Sequence, residues 1–194
     1  MKRQIRTLCL LLLAIVSVSC DKDHKDADDV VPAMELSMNR LFIYQDNHEE
    51  VKATYTDDKL QHSFNLENDR LSIYVSSGQD GVSFEITKTD LQEGIIGSYA
   101  LKSLPNPDAG KAKTTYSYSS QEGSGSIYFS QANFIEGSVI VTDYNVKHSL
   151  ISGKFEVKLK DVADPALTSP TPTPRRCDVI VTGEFKNARL TSNP

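Results

Sequence analysis

The 194-residue chain has no tryptophan, three cysteines and four histidines. Each scarcity excludes a class of function. Structural zinc calls for clustered ligands such as Cys-x-x-Cys or His-x-x-x-His, and neither spacing occurs. Cys9 and Cys20 fall in the first 20 residues and Cys177 stands alone far downstream, so there is no disulfide framework. His24, His48, His62 and His148 lie in no Gly-x-Ser-x-Gly setting, which leaves no motif for a nucleophile and its base. Gly123-Ser124-Gly125 lacks the lysine of a phosphate-cradling loop. Long apolar runs are missing as well: the longest, Leu8 to Val16, is nine residues, where a membrane-spanning helix needs about 20.

What is present begins with an address. Lys2, Arg3 and Arg6 precede that apolar run, and Ser17-Val18-Ser19-Cys20 follows it, the layout of a cleaved secretory signal over residues 1–19. Small residues directly before a cysteine resemble the bacterial lipobox, which implies that Cys20 is acylated and becomes the first residue of the mature chain. Position 17 departs from the usual leucine of that motif. Two or three acyl chains, at about 0.8 kcal/mol per buried methylene, anchor a protein almost irreversibly.

Residues 20–34 read as the lipidated cysteine and a disordered tether: Asp21 to Asp29 holds five aspartates and two lysines. Asp21, Asp23 and Asp26 do not form a calcium loop, because Asp26 and Pro32 stand where an EF-hand needs Gly and Glu. An acidic stretch after the lipidated cysteine resembles the surface-export signal of Bacteroidota lipoproteins. Removal of the leader takes three cations with it, leaving 18 against 26 anions and a net charge of −8. Such a surface disfavours nucleic acid as a partner.

From Glu35 the apolar residues recur with period two. Leu71, Ile73 and Val75 alternate with polar residues, as do Val82, Phe84 and Ile86, and Ser76 to Gly81 between them carries turn residues, predicting a hairpin. Phe155, Val157 and Leu159 alternate with Lys154, Glu156, Lys158 and Lys160. About eleven such short strands run through residues 35–194, with room for single helical turns near Thr87–Glu93 and Ser130–Ile135. The class is all-β and antiparallel, as a β-sandwich or a flattened β-barrel. A loop with four prolines at 164–176 separates the last two long strands.

One phrase recurs: Ile95-Ile96-Gly97-Ser98-Tyr99, Leu150-Ile151-Ser152-Gly153-Lys154-Phe155 and Ile180-Val181-Thr182-Gly183-Glu184-Phe185. Glycine inside a strand marks a bulge or a ring lying across bare backbone, so the phrase is expected to serve packing. With Gly183-Glu184-Phe185-Lys186-Asn187 at its end, the stretch from Leu71 to Leu190 resembles a family of uncharacterised β-rich Bacteroidota lipoproteins. That resemblance brings no activity, cofactor or catalytic residue.

Ligand-binding candidates are few. Tyr116 and Tyr118 share one strand face, and Tyr128 and Tyr144 lie on or beside the strands that follow, so the four are candidates for a platform holding a glycan or a peptide. Cross-strand packing is the competing expectation. Glu85, Glu136 and Asp143 are acids that a glycoside hydrolase would need to converge. The sequence implies no cofactor and no metal. The expected function is a lipid-anchored outer-membrane protein, exposed at the cell surface or facing the periplasm, that binds a glycan or protein without catalysis. The alternatives are a hydrolase of extracellular polymer and a structural envelope protein.

Overall fold

The structure is a computed structural model and describes residues 30–68, 70–91, 94–104, 106–120, 125–167 and 172–192. The leader, Cys20 and the acidic stretch through Asp29 lie outside the described residues, as do Gly123, Ser124 and residues 168–171 of the proline-rich loop. Backbone contacts divide the chain into Met1–Pro32 and Ala33–Pro194. All the strands described belong to the second unit. Among the described residues no helix is long and apolar enough to cross a membrane.

Among the described residues twelve strands follow in order: β1 (Glu35–Tyr44), β2 (Glu50–Thr56), β3 (Gln61–Glu67), β4 (Arg70–Ser76), β5 (Asp80–Thr87), β6 (Gly97–Ala100), β7 (Ala112–Ser119), β8 (Gly125–Phe129), β9 (Ile135–Asn145), β10 (Leu150–Ala163), β11 (Arg176–Arg189) and β12 (Thr191–Ser192). They form two sheets of six, ordered β2-β1-β11-β10-β9-β6 and β12-β3-β4-β5-β7-β8. Pairing between strands is antiparallel except where β12 joins β3. The architecture is a β-sandwich. The hairpin expected between Leu71 and Ile86 is present as β4 and β5, with Tyr74 opposite Ser83. The twelfth strand is the two-residue β12, too short to leave a periodic trace.

The alternation of apolar side chains makes the core. Met38 and Phe42 of β1, Phe64 of β3, Phe84 of β5, Val157 of β10 and Phe185 of β11 are all buried in one cluster, each side chain contributing about 1.5–3 kcal/mol of burial energy. Three aromatic pairs cross from sheet to sheet: Phe64 with Phe185 at 5.1 Å, Phe84 with Phe155 at 5.3 Å and Phe42 with Tyr118 at 5.5 Å.

The recurring phrase explains two of these rings. Gly153 lies opposite Phe185, and Phe155 lies opposite Gly183. Each ring covers the bare backbone of the other strand's glycine: a Cβ on Gly153 would come within 2.6 Å of Phe185 Cζ, and one on Gly183 within 2.5 Å of Phe155 Cε1. The two copies are therefore halves of one reciprocal contact.

Candidate functional site

Side chains that alternate inward on β1, β10 and β11 leave their neighbours on the outer face of the first sheet. There β1 pairs with β11, and β11 with β10, which brings Asn39 opposite Thr182 and Lys154 opposite Glu184. Ser37, Asn39, Ser138, Ile140, Lys154, Glu156, Thr182 and Glu184 line an open trough of about 450 Å³. Two shallower hollows continue it. One, of about 380 Å³, shares Lys154 and Glu184 and extends to Thr142, Lys186 and Asn187. The other, of about 320 Å³, shares Asn39 and Thr182 and runs to Lys52 and Thr54 on β2.

The charges of this face are largely paired. Lys52 holds Glu50 at 2.6 Å, Lys158 holds Glu156 at 2.7 Å, Lys160 holds Glu136 at 2.9 Å and Lys186 holds Glu35 at 3.0 Å. Hydrogen bonding and charge from Glu136 raise the Lys160 ammonium above its usual pKa, and Glu35 does the same for Lys186. Lys154, at the middle of the trough, has no carboxylate partner among the described residues. The floor thus offers short hydroxyl and amide groups around one uncommitted ammonium, with Ile140 and Phe155 as its apolar elements.

Behind this face lies a polar cluster that the sequence reading missed. Arg40 has the same strand parity as Met38 and Phe42 and points into the sandwich, where its Nε meets Asp80 at 3.2 Å. The two side chains are 6% and 0% exposed. Tyr116 donates to Asp80 Oδ1 at 2.7 Å and Tyr55 to Oδ2 at 2.8 Å, while the Arg40 guanidinium lies 4.2 Å from the Phe42 ring centre. Burial works against the Arg40 charge, but Asp80 with the Tyr55 and Tyr116 hydroxyls outweighs it, and the pKa is raised. Burial first, and then Asp80, push the Tyr116 phenol far above its ordinary range. This cluster joins strands of both sheets.

That arrangement decides where the tyrosine candidates stand. Tyr116 is fully buried and Tyr118 is 6% exposed. Tyr128 is half-buried, stacked on Tyr116 at 6.0 Å and donating to the Ala163 carbonyl at 3.1 Å. Tyr144 packs against the core. The four do not form an exposed platform, because each turns toward the interior where its ring area is removed from water. Tyr116 and Tyr118 share the parity of the buried Ala112 and Thr114 on β7.

The acids singled out in the sequence do not converge. Glu85 is on β5 in the second sheet and pairs with Arg70 at 3.5 Å, whereas Glu136 and Asp143 are on β9 in the first. His48 sits in the β1–β2 turn, His62 on β3 and His148 in the β9–β10 turn, three separate elements. Cys177 is fully buried. Burial, with the Asp164 and Asp178 carboxylates, pushes its thiol up to about 12. Among the described residues no group of three or more His, Cys, Asp or Glu is placed to hold a metal ion.

Comparison of the chain with protein-family models, with curated proteins and with solved structures finds no match.

Proposed function

We propose that this chain is a lipid-anchored protein of the bacterial outer membrane, held through Cys20 at the cell surface, whose sandwich binds a polysaccharide on the outer face of the first sheet. The observation that carries the binding part is the trough of hydroxyl, amide and charged side chains around Lys154. An open, polar lining suits a ligand that lies along a surface and exchanges many hydrogen bonds, rather than a small molecule that must be enclosed in an apolar pocket. The anchor rests on the lipobox-like Ser17-Val18-Ser19-Cys20 and the acidic tether after it.

Binding without cleavage is the reading favoured by the carboxylates of the trough. Glu156 is held by Lys158 and is 42% exposed, and Glu184 is exposed on the same face. Both carboxylates stand in the open trough rather than in an enclosed cleft.

Two experiments test the proposal. The intact mass of chain extracted from membranes should carry acyl chains that the Cys20→Ser variant lacks; an unmodified wild-type mass removes the anchor. An array of bacterial and plant polysaccharides probed with the Cys20→Ser chain should show binding that Lys154→Glu and Thr182→Arg weaken at least ~10-fold, the loss of about 1.4 kcal/mol. Binding unaffected by both substitutions places the ligand elsewhere.

A further inference from the structure

We infer that a second copy of this chain docks on the open edge of β8, joining the two second sheets into one continuous twelve-stranded sheet. The edges of the two sheets differ in how they are protected. β2 carries the Glu50–Lys52 ion pair, β12 is two residues long, and β6 is four residues long and is followed by Leu101, which bridges to Ala112 of the second sheet. β8 reads Gly125-Ser126-Ile127-Tyr128-Phe129, with no charge and no proline, and these are the devices that normally keep an edge from pairing. Ile127 is 60% exposed and Phe129 48%, with Phe134 just beyond them at 50%.

The hydrogen-bond pattern says which groups await a partner. The Ser130 amide donates to the Thr114 carbonyl of β7 at 2.9 Å. Antiparallel ladders alternate, so Ser126 and Tyr128 turn their main-chain groups to β7, and Gly125, Ile127 and Phe129 turn theirs to the open side. The Phe129 carbonyl is already taken by the amides of Ala132 and Asn133, each at 3.0 Å.

Antiparallel pairing of β8 with itself about Ile127 uses what remains. Ile127 exchanges two hydrogen bonds with its own copy, and each Phe129 amide donates to the opposite Gly125 carbonyl. The same register lays Phe129 across Gly125, repeating between copies the ring-on-glycine pairing that Phe155 and Phe185 make inside the sandwich. Charge selects a copy of the chain at this edge over its other faces. The anchored chain, without its leader, is net −8, and an uncharged strand is where two such molecules meet without adding like charges in contact.

Cysteine cross-linking on the full chain in its membrane tests the inference. A self-paired Ile127 brings Cα atoms about 5.5 Å apart, within disulfide reach, and Cys177 is buried out of reach. Ile127→Cys should yield a disulfide dimer of twice the monomer mass on mild oxidation, and Lys52→Cys on the β2 edge should not. Sedimentation of the detergent-extracted chain should show a dimer that Ile127→Lys converts to monomer. Ile127 is exposed, so neither substitution disturbs the core. An Ile127→Cys chain that stays monomeric, cross-links to a protein of another mass, or a dimer that survives Ile127→Lys overturns the inference.

Discussion

At the scale of single residues, the fold depends on a few contacts that tolerate no added or missing atom. A methyl group on Gly153 or Gly183 runs into the opposing phenylalanine ring and into main-chain oxygens, and overpacking of this kind costs about 1–3 kcal/mol. Gly183→Ala should therefore lower the urea midpoint, and adding Phe155→Leu should recover part of the loss; a Gly183→Ala chain as stable as wild type contradicts the contact. Asp80→Ala leaves Arg40 buried without its counter-ion and should cost about 3–5 kcal/mol. Because Arg40 and Asp80 are one unit, the Arg40→Met, Asp80→Ala pair should cost less than the two changes summed, as a double-mutant cycle in urea measures.

Titration at the same scale sets the alkaline limit. Burial, reinforced by Asp164, raises Tyr44 to about 12, and Cys177 is raised to the same value, from ordinary values of 10.0 and 9.0. The folded chain keeps protons that the unfolded chain releases, so the unfolded state binds fewer protons and stability falls as pH rises. The decline should start near pH 9 and continue toward pH 12. Cys177→Ala should flatten its onset, and a thiol reagent at pH 8 should leave the folded wild type unlabelled.

At the scale of elements, the hairpin turns and the proline-rich loop are tied down by ion pairs whose partners are far apart in sequence. The Asp164 amide donates to the Arg175 carbonyl at 2.7 Å and closes the base of that loop. Arg175 then reaches the β1–β2 turn, bonding both Asp46 oxygens at 2.9 to 3.1 Å and Glu49 at 3.1 Å, with its guanidinium 3.5 Å from the Tyr44 ring centre. These bonds hold the Asp46 and Glu49 carboxyls below their ordinary values of 3.8 and 4.5. The clamp's contribution is present above those values and is lost as pH falls through the lowered ones. Arg175→Ala should lower the thermal midpoint at pH 7 and lower it less once both carboxyls are protonated, when the Tyr44 and Asn47 contacts alone remain.

Much of the element pattern was legible because burial on one side imposes period two. The β4–β5 hairpin, the inward Phe155, Val157 and Leu159, and the single turns closed by Leu91 onto Thr87 and Asn133 onto Phe129 all follow from local spacing. The inward Arg40 was not legible because a charged residue in a strand is expected outward, although its parity matches Met38 and Phe42. The trough was hidden for a different reason. Asn39 and Thr182 meet only because β1, near the start of the domain, pairs with β11 near its end, and no local signal fixes which distant strands become neighbours.

At the scale of the whole molecule, the two sheets divide the work this account assigns. The first sheet turns outward the polar trough proposed to bind a ligand, the second has the uncharged edge proposed to pair with a second copy, and the Arg40–Asp80 cluster and three aromatic pairs lock the two layers together. Display at the cell surface through Cys20 would put both surfaces within reach of extracellular polymer. Chemical-shift mapping of the Cys20→Ser chain, titrated with a polysaccharide that binds on the array, tests the central assignment most directly. The perturbed signals should cluster at Asn39, Ser138, Lys154, Thr182 and Glu184 and leave β8 unmoved. Perturbations confined to the second sheet, or scattered through the core, would contradict it.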